Sequence, residues 1–175
     1  MNMLQELQNA LELLPDLLNK REAWDSLVVN RRKPHTYRVF THLSNGFRVC
    51  LHKFTTCHQH EAFPHPHPWA GAFLLLQGKY KMTVGHSPDR FSPPDKVMEM
   101  ILTPGCMYEI IEPHTWHAVI PLETTYTIMV NGEPWDVATA HKDVRTTKGK
   151  DLDKMPEDEL IAHLAHFKKL LKSYK

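Results

Sequence analysis

Cysteine, charge of one sign and long apolar runs are all scarce in this chain, and each scarcity excludes something. Three cysteines in 175 residues, Cys50, Cys57 and Cys106, are too few and too scattered for a disulfide framework, and no CxxC pair occurs. They read as idle thiols in a reducing cytosol, so the expected localisation is cytoplasmic. Lys and Arg number 21 against 20 Asp and Glu, a formal charge of +1, which leaves no basic footprint for a nucleic acid. No apolar run approaches the length of a membrane span, so no membrane partner is expected. The opening MNMLQELQNALELL carries Glu6 and Glu12 with no leading basic residue and does not read as a signal peptide. Internal repeats and low-complexity tracts are also missing.

What the chain has in excess is histidine and proline, 13 of each. They concentrate in CHQHEAFPHPHPWAGAFLLLQG, where His58, His60, His65 and His67 fall close together before an apolar run that ends at Gly78.

The remainder sorts into three segments of what is expected to be one domain. Residues 1–35 read as helical, because Leu4, Leu7, Leu11 and Leu14 recur at helical spacing. Pro15 is expected to break that helix or to begin a second one reaching about Trp24. Residues 36–136 read as a barrel of short strands. TYRVFTHL and FRVCLHKF alternate in polarity around Asn45-Gly46, a hairpin signal, and further β-rich runs follow at near-regular spacing up to TYTIMVN. Residues 137–175 read as a charged linker and a last helix. Pro156 opens that helix, Glu157, Asp158 and Glu159 fill its first turn, and Lys168, Lys169 and Lys172 lie near its end. Leu160, Leu164, Phe167 and Leu171 make its apolar stripe, which is expected to pack on the barrel.

The histidine spacing has a chemical consequence. Residues two apart on a strand point the same way, so His65 and His67 project two imidazoles into one space. That pair can chelate a metal from one short segment that prolines hold rigid. His117, in EPHTWHAVIP, is the best candidate for a third ligand from a later strand. Three neutral imidazoles leave coordination positions open on a divalent transition metal, as catalysis requires. The set suits Fe(II), and also Zn, Ni or Mn.

These motifs resemble the cupin superfamily over residues 36–136. Its first motif, H-x-H, three or four residues, Glu, six residues, Gly, is matched in register by His65, His67 and Gly78, with Gly71 where the Glu belongs. Of its second motif, P-x-G-x-x-H, the final histidine is kept as His117; Glu112 and His114 replace the proline and glycine. Pro104-Gly105 stands in the preceding turn. Three histidines without the glutamate are similar to the three-histidine thiol (cysteine) dioxygenase-like cupins, as are the N-terminal helices, the LLLQG run at Leu74–Gly78, and GEPWD at Gly132–Asp136 where that family has S-P-P-F. The resemblance implies a mostly β fold, a double-stranded β-helix or jelly roll with helices at both ends. It also implies iron held by His65, His67 and His117, and a substrate carboxylate anchored by Arg38. The family's Ser-x-His-x-Tyr relay would fall at Thr127, Met129 and Asn131, so its His and Tyr are missing. Cupins often pair through strands or terminal helices, so the resemblance leaves a homodimer open, with the stripe of the last helix as one surface for it.

The leading functional expectation is a ferrous, oxygen-using enzyme acting on a small molecule, a thiol or a carboxylate. Its rivals are non-redox isomerase or lyase chemistry, and a non-catalytic metal- or ligand-binding cupin. Arg38 either clamps a substrate carboxylate or lies on the solvent face of its strand. His114 either transfers protons or sits on a rim. His58 and His60 read as a polar rim, Glu112 as an exposed strand end, and Trp69 and Trp116 as pocket walls or core. Gly71 is expected to leave room for substrate or a water.

Overall fold

The structure, a computed structural model, describes residues 2–135 and 153–174. Helix α1 spans Met3–Leu17 and buries Met3, Leu7, Ala10 and Leu14 along one face. The Asn2 side chain caps it by accepting from the Gln5 amide at 3.0 Å. The Glu109 carboxylate, from a distant strand, accepts from the Leu4 amide at 3.1 Å and places negative charge at the positive end of the helix dipole. Pro15 does not break the helix. It stands in the last turn, where its missing N–H costs a single hydrogen bond while Leu14 anchors the turn in the core. No second α-helix follows; a short 3₁₀ turn covers Arg21–Ala23.

The sheet begins earlier than its sequence texture suggests. Strand β1, Asp25–Val29, pairs antiparallel with β2, Thr36–His42, and β2 forms the expected hairpin with β3, Arg48–Phe54. Gly46 turns that hairpin with a φ of +86, a left-handed conformation that glycine adopts without strain. The remaining strands are β4 (His65–Pro66), β5 (Trp69–Gln77), β6 (Tyr80–His86), β7 (Met98–Leu102), β8 (Met107–Ile110), β9 (Thr115–Pro121) and β10 (Thr125–Pro134). They form two sheets, ordered β1-β2-β3-β10-β5-β8 and β4-β9-β6-β7.

Counted from β3 as the first strand, these orders read 1-8-3-6 and 2-7-4-5. That is a jelly roll, in which chain neighbours pass from one sheet to the other except at the β6–β7 hairpin. The fold is therefore mostly β and of the cupin-like kind, with helices at both ends.

Strand alternation divides the larger sheet. One face carries Val39, Val49, Leu51, Ala72, Leu74, Ile128 and Val130, all buried in a core shared with both helices. The alternate residues Arg38, His52, Phe73 and Thr127 line the interior. Helix α2, Glu157–Tyr174, seats Leu160, Leu164, Phe167 and Leu171 in the outer core, as its stripe predicts. The Arg21 guanidinium ties its first turn to α1's side by a two-pronged pair with the Glu157 carboxylate. Most of the charged linker, and Asp136 of GEPWD, lie outside the described residues. Among the described residues no helix is long and apolar enough to cross a membrane.

Candidate metal centre

The jelly roll brings the three histidines together through one short strand pair. In the antiparallel register of β4 with β9, His65 stands directly opposite His117 and Pro66 opposite Trp116. His67 follows two residues after His65, on the same side of an extended chain that prolines bracket. Their potential ligand nitrogens all lie within 4.8 Å of one another. The ring centroids are 5.3 Å apart for His65–His67, 4.8 Å for His65–His117 and 4.6 Å for His67–His117.

The protonation pattern suits a cation. His65 donates from Nδ1 to the Phe63 carbonyl at 3.0 Å, which leaves its Nε2 lone pair to the cluster. His67 and His117 meet Nε2 to Nε2 at 2.7 Å. Two imidazole nitrogens this close share one proton at most, so at least one lone pair points between them. The Nδ1 atoms of both rings are buried with no hydrogen-bond partner. The cluster thus leaves hydrogen-bonding capacity unmet. Burial holds the pKa of His65 below the ordinary histidine value, opposed by its bond to Phe63. Burial first, then the neighbouring histidines, hold His67 and His117 well below it. Three unprotonated imidazoles and no carboxylate make a neutral donor set. The residues fit a divalent transition metal.

A cavity of about 1060 Å³ opens onto the cluster. Arg38 lines it from β2, on the interior and not on the solvent face, and its Nε donates to His52 Nε2 at 2.8 Å. His114 also lines it, in a turn with a φ of 70, but its ring packs 6.3 Å from His86 and not on the three histidines. Trp69 and Trp116 are both wall residues; Trp116 Nε1 donates to the Asp89 carbonyl at 3.3 Å. Glu112 is exposed and outside the wall, and His58 and His60 stack on each other on an exposed turn, also outside it.

The glutamate position has close neighbours. A side chain at Gly71 would meet the Val130 carbonyl at 3.3 Å and the Phe73 ring at 3.6 Å. Phe73 borders the space beside Gly71, with its ring 5.4 Å from His67 and 6.0 Å from His117. The relay positions Thr127, Met129 and Asn131 are all buried, and the Asn131 amide oxygen accepts from Arg48 Nε at 3.1 Å. Phenols do reach the cavity, from other strands. Tyr108 of β8 stacks on Phe73 at 4.6 Å and accepts from Tyr80 of β6 at 3.0 Å.

Sequence reasoning passed over His52, Phe73, Tyr80 and Tyr108. His52 had a signal: it alternates with Arg48 and Cys50 along β3, so a polar row faces one way. The aromatic three had none, since buried aromatics near a site look like core.

No family model matches this sequence, and no curated protein matches it. Solved structures do. Hydroxypropylphosphonic acid epoxidase from S. wedmorenis is 15% identical over 61% of this chain and 55% of its own, with a TM-score of 0.48. The Fe(II) form of HppE with the alternative substrate (S)-1-HPP gives 18%, 61%, 55% and 0.47. The Co(II) form with substrate gives 17%, 59%, 55% and 0.46. The chain spans about half the length of these proteins. Likeness of this degree says nothing of activity, and the fold assignment rests on the strand order given above.

Proposed function

We propose that the chain is a metal-dependent oxygenase of the cupin type, with one ferrous ion held by His65, His67 and His117 and a small thiol or carboxylate as substrate. The observation that carries this reading is the convergence of three neutral imidazoles, none backed by a carboxylate ligand, on a cavity large enough for a small molecule. When bound, iron would supply the activation of dioxygen and a positive centre for an anionic co-ligand. The protein's own residues bind, orient and exclude water. Arg38 offers the guanidinium for a substrate carboxylate. Phe73, Trp69 and Trp116 wall the site and keep water from it. His114 stands at the cavity wall where a proton can enter or leave. A cytoplasmic setting and a homodimer belong to the same proposal.

A second reading is favoured by one observation. With Thr127, Met129 and Asn131 at the relay positions, no phenol stands where the thiol dioxygenases place theirs. A zinc-, nickel- or manganese-loaded site performing isomerase or lyase chemistry needs no such phenol.

The test is anaerobic reconstitution with Fe(II), then oxygen consumption with a panel of thiols and acids. Equimolar iron, lost in His65→Ala and His117→Ala, with substrate-dependent oxygen uptake supports the oxygenase. Equimolar metal with no oxygen uptake moves the assignment to non-redox chemistry or to binding alone. Failure to take up any metal would falsify both.

A further inference from the structure

The charged side chains among the described lining residues of the cavity are all basic, Arg31 and Arg90 having further partners of their own. Arg31, Arg32, Lys33, Arg38 and Arg90 line it, and no aspartate or glutamate is among its described lining residues. Lys33 is met by Glu61 at 2.8 Å. Arg38 is different, because its partner is not a carboxylate.

A buried guanidinium ordinarily takes a carboxylate, which both orients it and cancels its charge. Arg38 takes His52, directly opposite it in the β2–β3 register and 4% exposed. His52 Nε2 accepts the Arg38 Nε hydrogen at 2.8 Å, so that nitrogen carries no proton and the ring is neutral. The other face of the His52 ring packs on Phe54, with centroids 5.4 Å apart. The imidazole is thereby fixed, and it fixes the guanidinium in turn. A neutral acceptor directs Arg38 and leaves its positive charge intact. Because Nε is occupied, the two terminal nitrogens are the edge that can meet a ligand. Burial pulls the Arg38 pKa down from its usual range.

We infer that His52 is a positioning residue for Arg38 and that the pair sets the charge class of the ligand: a small anion that carries no ammonium group. This rests on the metal-centre reading, in which the anion's second donor reaches the open side of the histidine cluster. A carboxylate arriving at Arg38 gains a two-pronged, charge-assisted contact. An ammonium on the same molecule finds cations and apolar rings around it and no described carboxylate to receive it, and its desolvation goes uncompensated. Amino acids are therefore selected against, and simple acids are selected for.

The test uses full-length protein loaded anaerobically with Co(II), whose thiolate absorption reports ligand binding. Three thiols of similar size are compared: thioglycolate, an anion; cysteine, a zwitterion; and cysteamine, a cation. Thioglycolate is expected to bind tightest, by about tenfold over cysteine and more over cysteamine. His52→Gln keeps a neutral acceptor and is expected to keep that order. His52→Glu keeps an acceptor but adds a negative charge, and is expected to weaken thioglycolate by about tenfold while improving cysteamine. Cysteine binding as tightly as thioglycolate overturns the inference, as does an unchanged order in His52→Glu. The wild-type series needs no variant to fold. A companion titration of metal-free protein with malonate separates the two readings. Malonate binding that falls about tenfold in His52→Glu supports the Arg38–His52 role even where Co(II) is not bound. Equal malonate binding by both proteins, or none, overturns it while leaving the metal centre to its own test.

Discussion

Gly71 stands on β5 at the glutamate position of the motif that the sequence resembles, and its surroundings decide what a side chain there would meet. An added Cβ lies 3.3 Å from the Val130 carbonyl, a tight approach, and in ordinary contact with the Phe73 ring at 3.6 Å. Gly71→Glu is expected to destabilise the protein by about 1–3 kcal/mol, since the longer side chain must be fitted between the Val130 carbonyl and the Phe73 ring, and not to tighten metal binding. Urea midpoints and a Co(II) titration on the same samples check both halves. His65→Ala is expected to cost metal affinity more than the roughly 10–100-fold that loss of a supporting hydrogen bond costs. Direct titration reads it. A contrasting pair of glycines shows how local space decides such outcomes. Gly46 and Gly78 share a left-handed φ, but an added Cβ at Gly46 meets nothing within 4 Å, whereas at Gly78 it lies 2.5 Å from the Thr124 carbonyl. Gly46→Ala is expected to cost about 1–2 kcal/mol from backbone strain, and Gly78→Ala clearly more, in parallel denaturation curves.

At the scale of the element, α2 shows how a surface stripe becomes core. Phe167 is fully buried, and Phe167→Ala is expected to cost about 3–5 kcal/mol. Ile161 on the opposite face is 51% exposed, and Ile161→Ala is expected to stay within about 0.5 kcal/mol. The same helix carries a pH dependence. His163 is buried, donates from Nε2 to the Leu51 carbonyl at 3.3 Å, and has its pKa lowered to about 4, chiefly by burial. A histidine with a depressed folded pKa binds fewer protons folded than unfolded between that value and its ordinary 6.5. Stability is therefore full above pH 6.5 and declines as pH falls toward 4, by about 3 kcal/mol at most from this group. His163→Leu is expected to flatten that slope by up to one proton in denaturation curves taken across the window, with other buried histidines supplying the remainder. A slope unchanged in the variant would place the effect elsewhere.

On the scale of the whole molecule, the metal centre joins segments distant in the chain. β4 is two residues long, and its pairing with β9 sets His65 beside His117 on the neighbouring strand. A metal bound there cross-links the two. Metal at about a hundred times its dissociation constant is expected to add about 2.7 kcal/mol of stability. For a chain of this size that is about 5–10 °C in Tm, reversed by a chelator and absent in His117→Ala. Differential scanning calorimetry with and without Co(II) measures it.

Much of this was legible in the residues. The H-x-H spacing, the later histidine, the hairpin at Asn45-Gly46 and the stripe of the last helix are local patterns with local causes, periods of two and of 3.6 and turn chemistry that needs only neighbouring residues. Position along the chain was enough to name His65, His67 and His117. What the tertiary structure alone decided involves partners far apart in sequence. Strand DSLVV could not be told from the end of a helical segment until β2 lay beside it. Pro15 did not end its helix because Leu14 had a core to enter. Phe73 bordered the space beside Gly71, and His52 met Arg38, through pairings of strands that only the jelly roll brings together. A side chain's type is fixed by the chain, but what it faces is fixed by packing, and the charge of the cavity is a property of what faces it.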